Sequence, residues 1–333
     1  MTDLSRLKVT TSPHIHTSDN TSQIMLDVII ALIPALVVSV MVFGFRALVL
    51  TCIAVVSCVS FEALYCLLLK KQVPVKDLSA VVTGILLAYC LPVSAPWWMF
   101  VVGSAFAIIV VKQLYGGIGK NFMNPALTAR AFLLASWPLI MTTWTAPKTA
   151  LPLIASIPDA VSSATPMSYI SNGVVPEASA TDMLLGMVGG SLGETSALAL
   201  LAGGVYLVYR KVITIRIPIA YLGTVALLTL AFPLGEISNV DNMIYHLLSG
   251  GVMLCAIFMA SDYTTSPVTK WGQVIYGIGC GALTVFIRYF SAYPEGSTYA
   301  VLIMNILVPL IEKATSPRKF GFVKKSKKEV VAK

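Results

Sequence analysis

Residues 78–97 read LSAVVTGILLAYCLPVSAPW, an apolar run interrupted by two prolines. Its first part suits a lipid bilayer, whereas Pro92 and Pro96 prevent one continuous helix. A second stretch begins in the same way at Leu248-Ser249 and ends in the polar segment SDYTTSP at residues 261–267. Interrupted spans at matching positions in two halves favour an inverted repeat with a site near the membrane midplane. Ordinary helix ends are the alternative.

The composition supports a membrane-embedded chain. Of 333 residues, 57% are hydrophobic and only 11% are charged, whereas a soluble domain carries about 25% charged residues. This composition excludes a soluble enzyme, a nucleic-acid reader and a disordered protein. The net charge of +8 does not indicate a nucleic-acid partner, because its location along the chain explains it better.

The hydropathy pattern predicts an all-α polytopic membrane protein with ten spans, since each span needs roughly 20 apolar residues. The predicted spans are 24–43, 47–69, 78–96, 97–115, 123–141, 183–209, 217–234, 244–260, 271–290 and 298–312. The domains follow as an N-terminal tail (1–23), a first five-helix repeat (24–141), an outer loop (142–182), a second repeat (183–312) and a basic tail (313–333). Because each group has an odd number of spans, the second repeat is inverted relative to the first.

The basic residues orient the chain in the membrane. Of the 23 Lys and Arg residues, only Arg46, Lys148 and Arg288 fall in the predicted outer segments, and Arg130 is intramembrane. The positive-inside rule therefore places both termini in the cytoplasm and residues 142–182 outside. The basic tail is an orientation signal and a contact for the anionic lipid of the bilayer.

Two features inside or at the edge of the predicted spans suggest a site. Arg130 follows Asn124-Pro125 in an apolar segment, where a guanidinium is costly and needs a partner. It could face an anionic cofactor or a carboxylate, or it could extend to the inner interface. Asp262 lies at the broken end of span 8 among hydroxyl side chains, which makes it a candidate for the ion path; a solvated helix end is the alternative.

Close helix packing is a simpler expectation for two pairs of glycines. Gly186 and Gly190, and likewise Gly277 and Gly281, are spaced as in small-xxx-small motifs.

The outer loop contains the segment PDAVSSATPM at residues 158–167. It is small, hydroxyl-rich and bounded by two prolines, and Pro166 favours an extended conformation at Thr165. Small residues around Thr165 would allow the segment to bind in the cleft of an enzyme that modifies a hydroxyl group. A plain solvated loop is the alternative.

The same segment carries a family resemblance. Residues Asp159–Thr165 match the motif at which a flavin transferase attaches FMN, and Ser163 replaces the Gly of many relatives. Over its whole length the chain resembles the D subunits of Rnf complexes, which are ion-pumping ferredoxin:NAD+ oxidoreductases. It is also similar to the B subunits of sodium-pumping NADH:quinone oxidoreductases. The matching segments are Ser12-Pro13-His14, the glycine-rich run 116–125, Ala129-Arg130-Ala131-Phe132 and Tyr293-Pro294-Glu295-Gly296.

The resemblance implies five plus five helices in the urea-transporter architecture and FMN esterified through its phosphate to Thr165. The attachment motif then comprises Asp159, Ser162, Ser163 and Ala164, with Asn124 and Arg130 as further candidates for cofactor binding. The quinone-reducing relatives also hold a second, non-covalent flavin such as riboflavin, for which the residues of this chain indicate no place.

In function, the resemblance implies one redox subunit of a complex in the plasma (inner) membrane. The partners are the other Rnf subunits and, for maturation, the flavin transferase. The complex passes electrons from reduced ferredoxin to NAD+ and translocates Na+ or H+. The chain has no Rossmann fingerprint and no cluster-binding cysteine pattern, so it should have no complete activity alone. A urea-transporter-like channel or solute carrier is the alternative, which the inverted repeat fits equally well.

Overall fold

The computed structural model describes residues 20–71, 75–149, 152–154, 165–176, 178–194, 196–235, 237–291 and 295–317. The described residues are mostly helical. The helices are α1 (Thr21–Phe43), α2 (Phe45–Leu68), α3 (Ser79–Tyr89), α4 (Trp97–Gln113), α5 (Pro125–Ser136), α6 (Pro138–Met141), α7 (Pro166–Ser171), α8 (Ala180–Leu185), α9 (Ala197–Tyr209), α10 (Arg216–Ala231), α11 (Asn239–Leu248), α12 (Val252–Met259), α13 (Lys270–Phe290) and α14 (Ser297–Thr315).

Four of these helices are long and apolar enough to cross a membrane: α1, α2, α13 and α14. A fifth candidate is the pair α11 and α12, which is bent by 63° at a short break. The apolar helices α3, α4, α9 and α10 are shorter. The described residues therefore show a helical membrane protein, with interruptions at or near the positions where prolines and glycines interrupt the sequence.

Several predicted spans are not single straight helices, and two of them show the physical reasons. Span 78–96 contains only α3, because Pro92 and Pro96 cannot continue a helical ladder. The prediction of a continuous span over 183–209 is wrong, because residues 186–194 and 196, between α8 and α9, are not helical. That segment includes Gly186, which ends α8 at φ +94°.

The end of α3 is closed by the backbone of this non-helical segment. The Leu192 amide donates to the Leu91 carbonyl at 3.1 Å, and the Gly193 amide donates to the Tyr89 carbonyl at 2.9 Å. A Cβ atom at Gly193 would lie 2.4 Å from Cβ of Tyr89. Only glycine therefore allows the two segments to approach so closely.

A buried arginine satisfies the carbonyl groups freed by the first break. Arg46, at the start of α2, is 1% exposed. Its Nε donates to the Val93 carbonyl at 2.9 Å and its Nη2 to the Ala95 carbonyl at 3.2 Å. Freed backbone groups at membrane depth need such partners.

A second arginine has the same role at the break between α11 and α12. There Gly250 and Gly251 adopt φ of +70° and +68°. Arg288, near the end of α13, is 1% exposed and donates to the carbonyls of His246, Ser249 and Gly250 at 2.7, 2.8 and 3.2 Å. Each interruption is thus held by a guanidinium from another helix.

The two glycine pairs have different roles. Gly277 and Gly281 pack α13 against α10, since Cβ atoms there would lie 2.7 Å from the Ala220 side chain and 2.8 Å from the Tyr221 carbonyl. This confirms the packing prediction. The prediction is wrong for the other pair, because Gly186 ends a helix and Gly190 lies in the non-helical segment.

Candidate functional site

Thr165 opens α7 in the conformation that Pro166 favours, with φ −71° and ψ 152°. The extended backbone expected from the sequence is therefore confirmed. The Thr165 hydroxyl oxygen accepts from the Ser168 amide at 3.3 Å. Thr165 is, however, only 8% exposed, so an enzyme cannot reach the hydroxyl while α7 stays in this position.

Thr165 lines a small cavity of about 20 Å³, here called the outer cavity. Part of the cavity wall is formed by three glycines, which have no side chain, and two carboxylate residues also line the cavity. Its polar and glycine lining consists of Thr165, Gly189, Gly190, Glu194, Ser249, Gly250 and Glu295. A cavity of this size holds about one water molecule or one small ion, so it has no room for an aromatic ring system.

Arg130 lies behind these two carboxylates. It is 3% exposed, its Nη1 lies 3.6 Å from Oε1 of Glu194, and its Nη2 contacts Glu295. The guanidinium is therefore paired with carboxylates and does not extend to the inner interface. The cluster joins α5 to two irregular segments far along the chain.

The other residues of the attachment motif, Asp159, Ser162, Ser163 and Ala164, lie outside the described residues. Their predicted role in recognition by a transferase stays a prediction.

Asn124 and Asp262 share a second cavity of about 100 Å³, here called the inner cavity. Asn124 caps α5, because its Oδ1 accepts from the amides of Ala126 and Leu127 at 3.1 and 3.3 Å. Its Nδ2 donates to the Met259 carbonyl at 3.4 Å, at the end of α12. Asn124 therefore ties the start of α5 to the second broken span.

The Asp262 carboxylate is held by its own loop. The Thr264 and Thr265 hydroxyls donate to Oδ2 at 2.9 and 3.3 Å, and the Thr264 amide donates to Oδ1 at 3.4 Å. Burial raises the pKa of Asp262 above its ordinary value, and these hydrogen bonds oppose the shift. The Asp262 carboxylate therefore binds a proton more readily than an exposed carboxylate does.

A buried ion pair also borders the inner cavity, and the sequence did not reveal it. Lys112 Nζ lies 2.7 Å from Oε1 of Glu62 and donates to the Ser79 hydroxyl at 2.6 Å. Gln113 donates to the same Glu62 oxygen at 2.7 Å. The charge pattern assigns Lys112 to a cytoplasmic segment, yet Lys112 is only 2% exposed. Its burial could have been suspected from the sequence, because Lys112 directly follows an apolar run.

Helix α5 connects the two cavities. Asn124 stands at its start beside the inner cavity, and Arg130 lies six residues later behind the outer cavity. This separation corresponds to about 9 Å along the helix axis. Among the described residues, no group of three or more His, Cys, Asp or Glu converges to hold a metal ion.

The chain is similar to known membrane proteins. The model of the NQR2, RnfD, RnfE family matches residues 8–321. The chain is 51% identical over 329 residues to the D subunit of a Na(+)-translocating ferredoxin:NAD(+) oxidoreductase complex from Acetobacterium woodii, with 98% of each chain covered. It is 40% identical to the D subunit of a proton-translocating ferredoxin:NAD(+) oxidoreductase complex from Clostridium ljungdahlii, with 94% of this chain and 96% of the relative covered. It is also 38% identical to the D subunit of an ion-translocating oxidoreductase complex from Escherichia coli, with 94% and 98% covered.

Proposed function

The chain belongs to the NQR2, RnfD, RnfE family, and from this membership we propose that it is a membrane subunit of an ion-pumping ferredoxin:NAD+ oxidoreductase complex. The complex couples electron transfer from reduced ferredoxin to NAD+ with translocation of Na+ or H+. The other subunits of the complex are its partners. The observation that carries the proposal is the 51% identity to a relative of that function over nearly the whole of both chains.

We propose further that residues 24–141 and 183–312 form two inverted five-helix repeats in the urea-transporter architecture. An interrupted span in the third place of each group of five, 78–96 in the first and 244–260 in the second, supports this. In the plasma (inner) membrane, both termini are cytoplasmic and residues 142–182 are extracytoplasmic. The distribution of Lys and Arg along the sequence supports that orientation.

The proposed cofactor is FMN on Thr165. In the attachment step, the Thr165 hydroxyl oxygen bonds to the phosphorus of the FMN half of FAD. The pyrophosphate bond breaks, and AMP leaves with the hydroxyl proton. The extended backbone of Thr165 at the start of α7 supports a modification at this position. When bound, the flavin supplies electron transfer, while the protein supplies position and electrostatics.

The burial of Thr165 determines when during folding the flavin is attached. Since its side chain is 8% exposed, the flavin transferase must act before α7 packs onto the outer cavity or during a local opening. Asp159, Ser162, Ser163 and Ala164 serve in that recognition step and need no contact with the flavin afterwards. Asn124 and Arg130 position the walls of the two cavities, and Asp262 belongs to the ion path through the inner cavity.

Intact-mass analysis of the purified chain, made with and without the flavin transferase, tests the cofactor proposal. We expect one FMN adduct in the wild-type chain and none in Thr165→Ala. Ser171→Ala is the matched control, since it removes an exposed hydroxyl of the same helix α7 and should keep the adduct. A wild-type chain without flavin after co-expression with active transferase would refute the redox role of this subunit and favour the channel alternative.

A further inference from the structure

An apolar groove with a volume of about 630 Å³, here called the lipid groove, lies between α9 and α10. Both of its walls are formed by apolar side chains. They are Leu201, Val205 and Val208 on α9, and Ile219, Leu222 and Ala226 on α10. Val205 and Ile219 are 69% and 60% exposed, so the groove opens to the surface of the molecule.

Two glycines determine the shape of the groove. A Cβ atom at Gly204 of α9 would lie 2.7 Å from the Ile257 side chain, so α9 packs closely on α12 at the floor. A Cβ atom at Gly223 of α10 would meet no atom within 4 Å beyond its own part of the helix. Side chains beside such open space lose dispersion contacts unless another molecule fills it. The groove is therefore shaped to hold an occupant from its surroundings.

The length of the groove corresponds to one leaflet of a bilayer. Its lining extends along α10 from Ile215, directly before the helix, to Ala226. At 1.5 Å per residue this distance is about 16 Å. The hydrocarbon core is about 30 Å thick, so a transmembrane helix of a partner would be about twice as long as the groove. One acyl chain, which reaches from the headgroup region to the midplane, fits this length better.

The end of the groove at Ile215 is basic. The adjoining turn and helix start carry Arg210, Lys211 and Arg216. Asp27 of α1 pairs with Arg210 at 3.1 Å, so the net positive charge of this end comes from Lys211 and Arg216, which are both exposed. Basic side chains beside a membrane attract anionic headgroups.

We propose that the lipid groove binds one acyl chain of an anionic phospholipid and that Lys211 and Arg216 hold its headgroup. The apolar walls contact the tail, the length of the groove matches a single leaflet, and the basic end selects the negative charge. The bound lipid fills the space between α9 and α10. This inference concerns the lipid-facing surface of the chain and does not depend on the attachment of FMN.

Native mass spectrometry of the purified full chain in detergent tests the choice of headgroup. The delipidated chain is titrated with phosphatidylglycerol or with phosphatidylcholine that has the same acyl chains. We expect one phosphatidylglycerol to bind more tightly than phosphatidylcholine. Lys211→Gln should reduce this preference roughly 5-fold, which is the usual contribution of one basic residue near an anionic surface.

Lys70→Gln is the matched control for the charge. Lys70 is an exposed lysine two residues after the end of α2, just as Lys211 lies two residues after the end of α9. The two lysines also share a left-handed backbone conformation, with φ of +52° and +58°. Lys70→Gln should therefore leave the preference for phosphatidylglycerol unchanged.

A second pair of variants tests the position of the tail. Gly223→Phe places a ring in the groove and should abolish binding of the lipid. Leu227→Phe should retain it, because Leu227 is 69% exposed on the same helix and does not line the groove. If Gly223→Phe folds poorly, Val205→Trp fills the groove from the opposite wall.

The results discriminate in both directions. Loss of the lipid in Gly223→Phe or Val205→Trp, together with the reduced preference in Lys211→Gln, supports the proposal. Equal binding of the two phospholipids by the wild-type chain, or unchanged binding in the groove-filling variants, overturns it. Crosslinking of Val205→Cys to another subunit in the assembled complex, with no lipid retained there, also overturns it, because the groove then belongs to a subunit interface. None of these results alters the test of FMN on Thr165.

Discussion

Replacing Arg130 by Met removes the guanidinium that lies between the buried Glu194 side chain and the partly buried Glu295 side chain, and it keeps most of the side-chain volume. The Glu194 contact at 3.6 Å corresponds to about 5 kcal/mol at an effective dielectric constant of about 20. Breaking a buried pair by removing one partner typically costs about 3–5 kcal/mol. For 333 residues, at about 2.1 cal/mol/K of unfolding entropy per residue, this loss lowers Tm by roughly 4–7 °C.

The assay is the heat-induced loss of the monodisperse peak in size-exclusion chromatography of the detergent-solubilised chain. The matched control is Arg216→Met, because Arg216 is exposed and, among the described residues, its side chain makes one hydrogen bond, of 3.2 Å to Gln273. We expect the control to shift Tm by less than about 2 °C. Adding Glu194→Gln and Glu295→Gln to Arg130→Met should restore part of the loss, since no unpaired charge then stays buried. Arg130→Met with wild-type Tm at neutral pH would contradict the assignment of a buried ion cluster.

Four further outcomes are expected. Thr165→Ser should keep some covalent flavin, seen as a fluorescent band on a denaturing gel, because a hydroxyl nucleophile remains; a band of equal strength in Thr165→Ala would place the flavin elsewhere. Asn172→Cys, at an exposed position, should react with an impermeant maleimide in intact cells, and protection there would reverse the proposed topology. Asp262→Asn should reduce the ions moved per electron and leave flavin attachment intact; an unchanged ratio would remove Asp262 from the ion path. Burial raises the pKa of Asp262 in the folded state. The protonated carboxyl group therefore contributes most to stability below about pH 3.9, and this contribution is lost as the pH rises through the folded-state pKa. Tm should accordingly depend less on pH in Asp262→Asn than in the wild type.

The first interruption was predicted from local chemistry, whereas the second lies at Gly250 and Gly251 and not at the proline-bearing stretch 261–267 that the sequence singled out. Pro92 and Pro96 forbid a helix wherever the segment lies, and Gly250 and Gly251 permit the positive φ that the second break uses. The end of α8 could also have been predicted. Residues 186–194 read GMVGGSLGE, and four glycines in nine residues do not suit the middle of a helix.

The partners of the buried charges could not be predicted from the sequence, because they are distant along the chain. The residue type of Arg130 required a carboxylate, but nothing local singled out Glu194 or Glu295. From the sequence, Arg46 and Arg288 are only basic residues near the ends of spans, which count toward the predicted orientation. The sequence does not distinguish a basic residue that faces water from one that binds buried carbonyls. Pairing in three dimensions determined their role.

Arg46 and Arg288, which bind the carbonyl groups at the two breaks, differ in whether they are synthesised before or after those carbonyls. Arg46 is synthesised before Val93 and Ala95, whose carbonyls it binds. Its guanidinium is therefore already present when the first interruption enters the bilayer. Arg288 follows the Ser249 carbonyl by 39 residues, which at about 5–20 residues per second is a delay of roughly 2–8 seconds. During that interval the carbonyls at the second interruption must stay hydrated or within the insertion machinery. A nascent chain that stops before α13 is complete is therefore expected to be a substrate for membrane quality control.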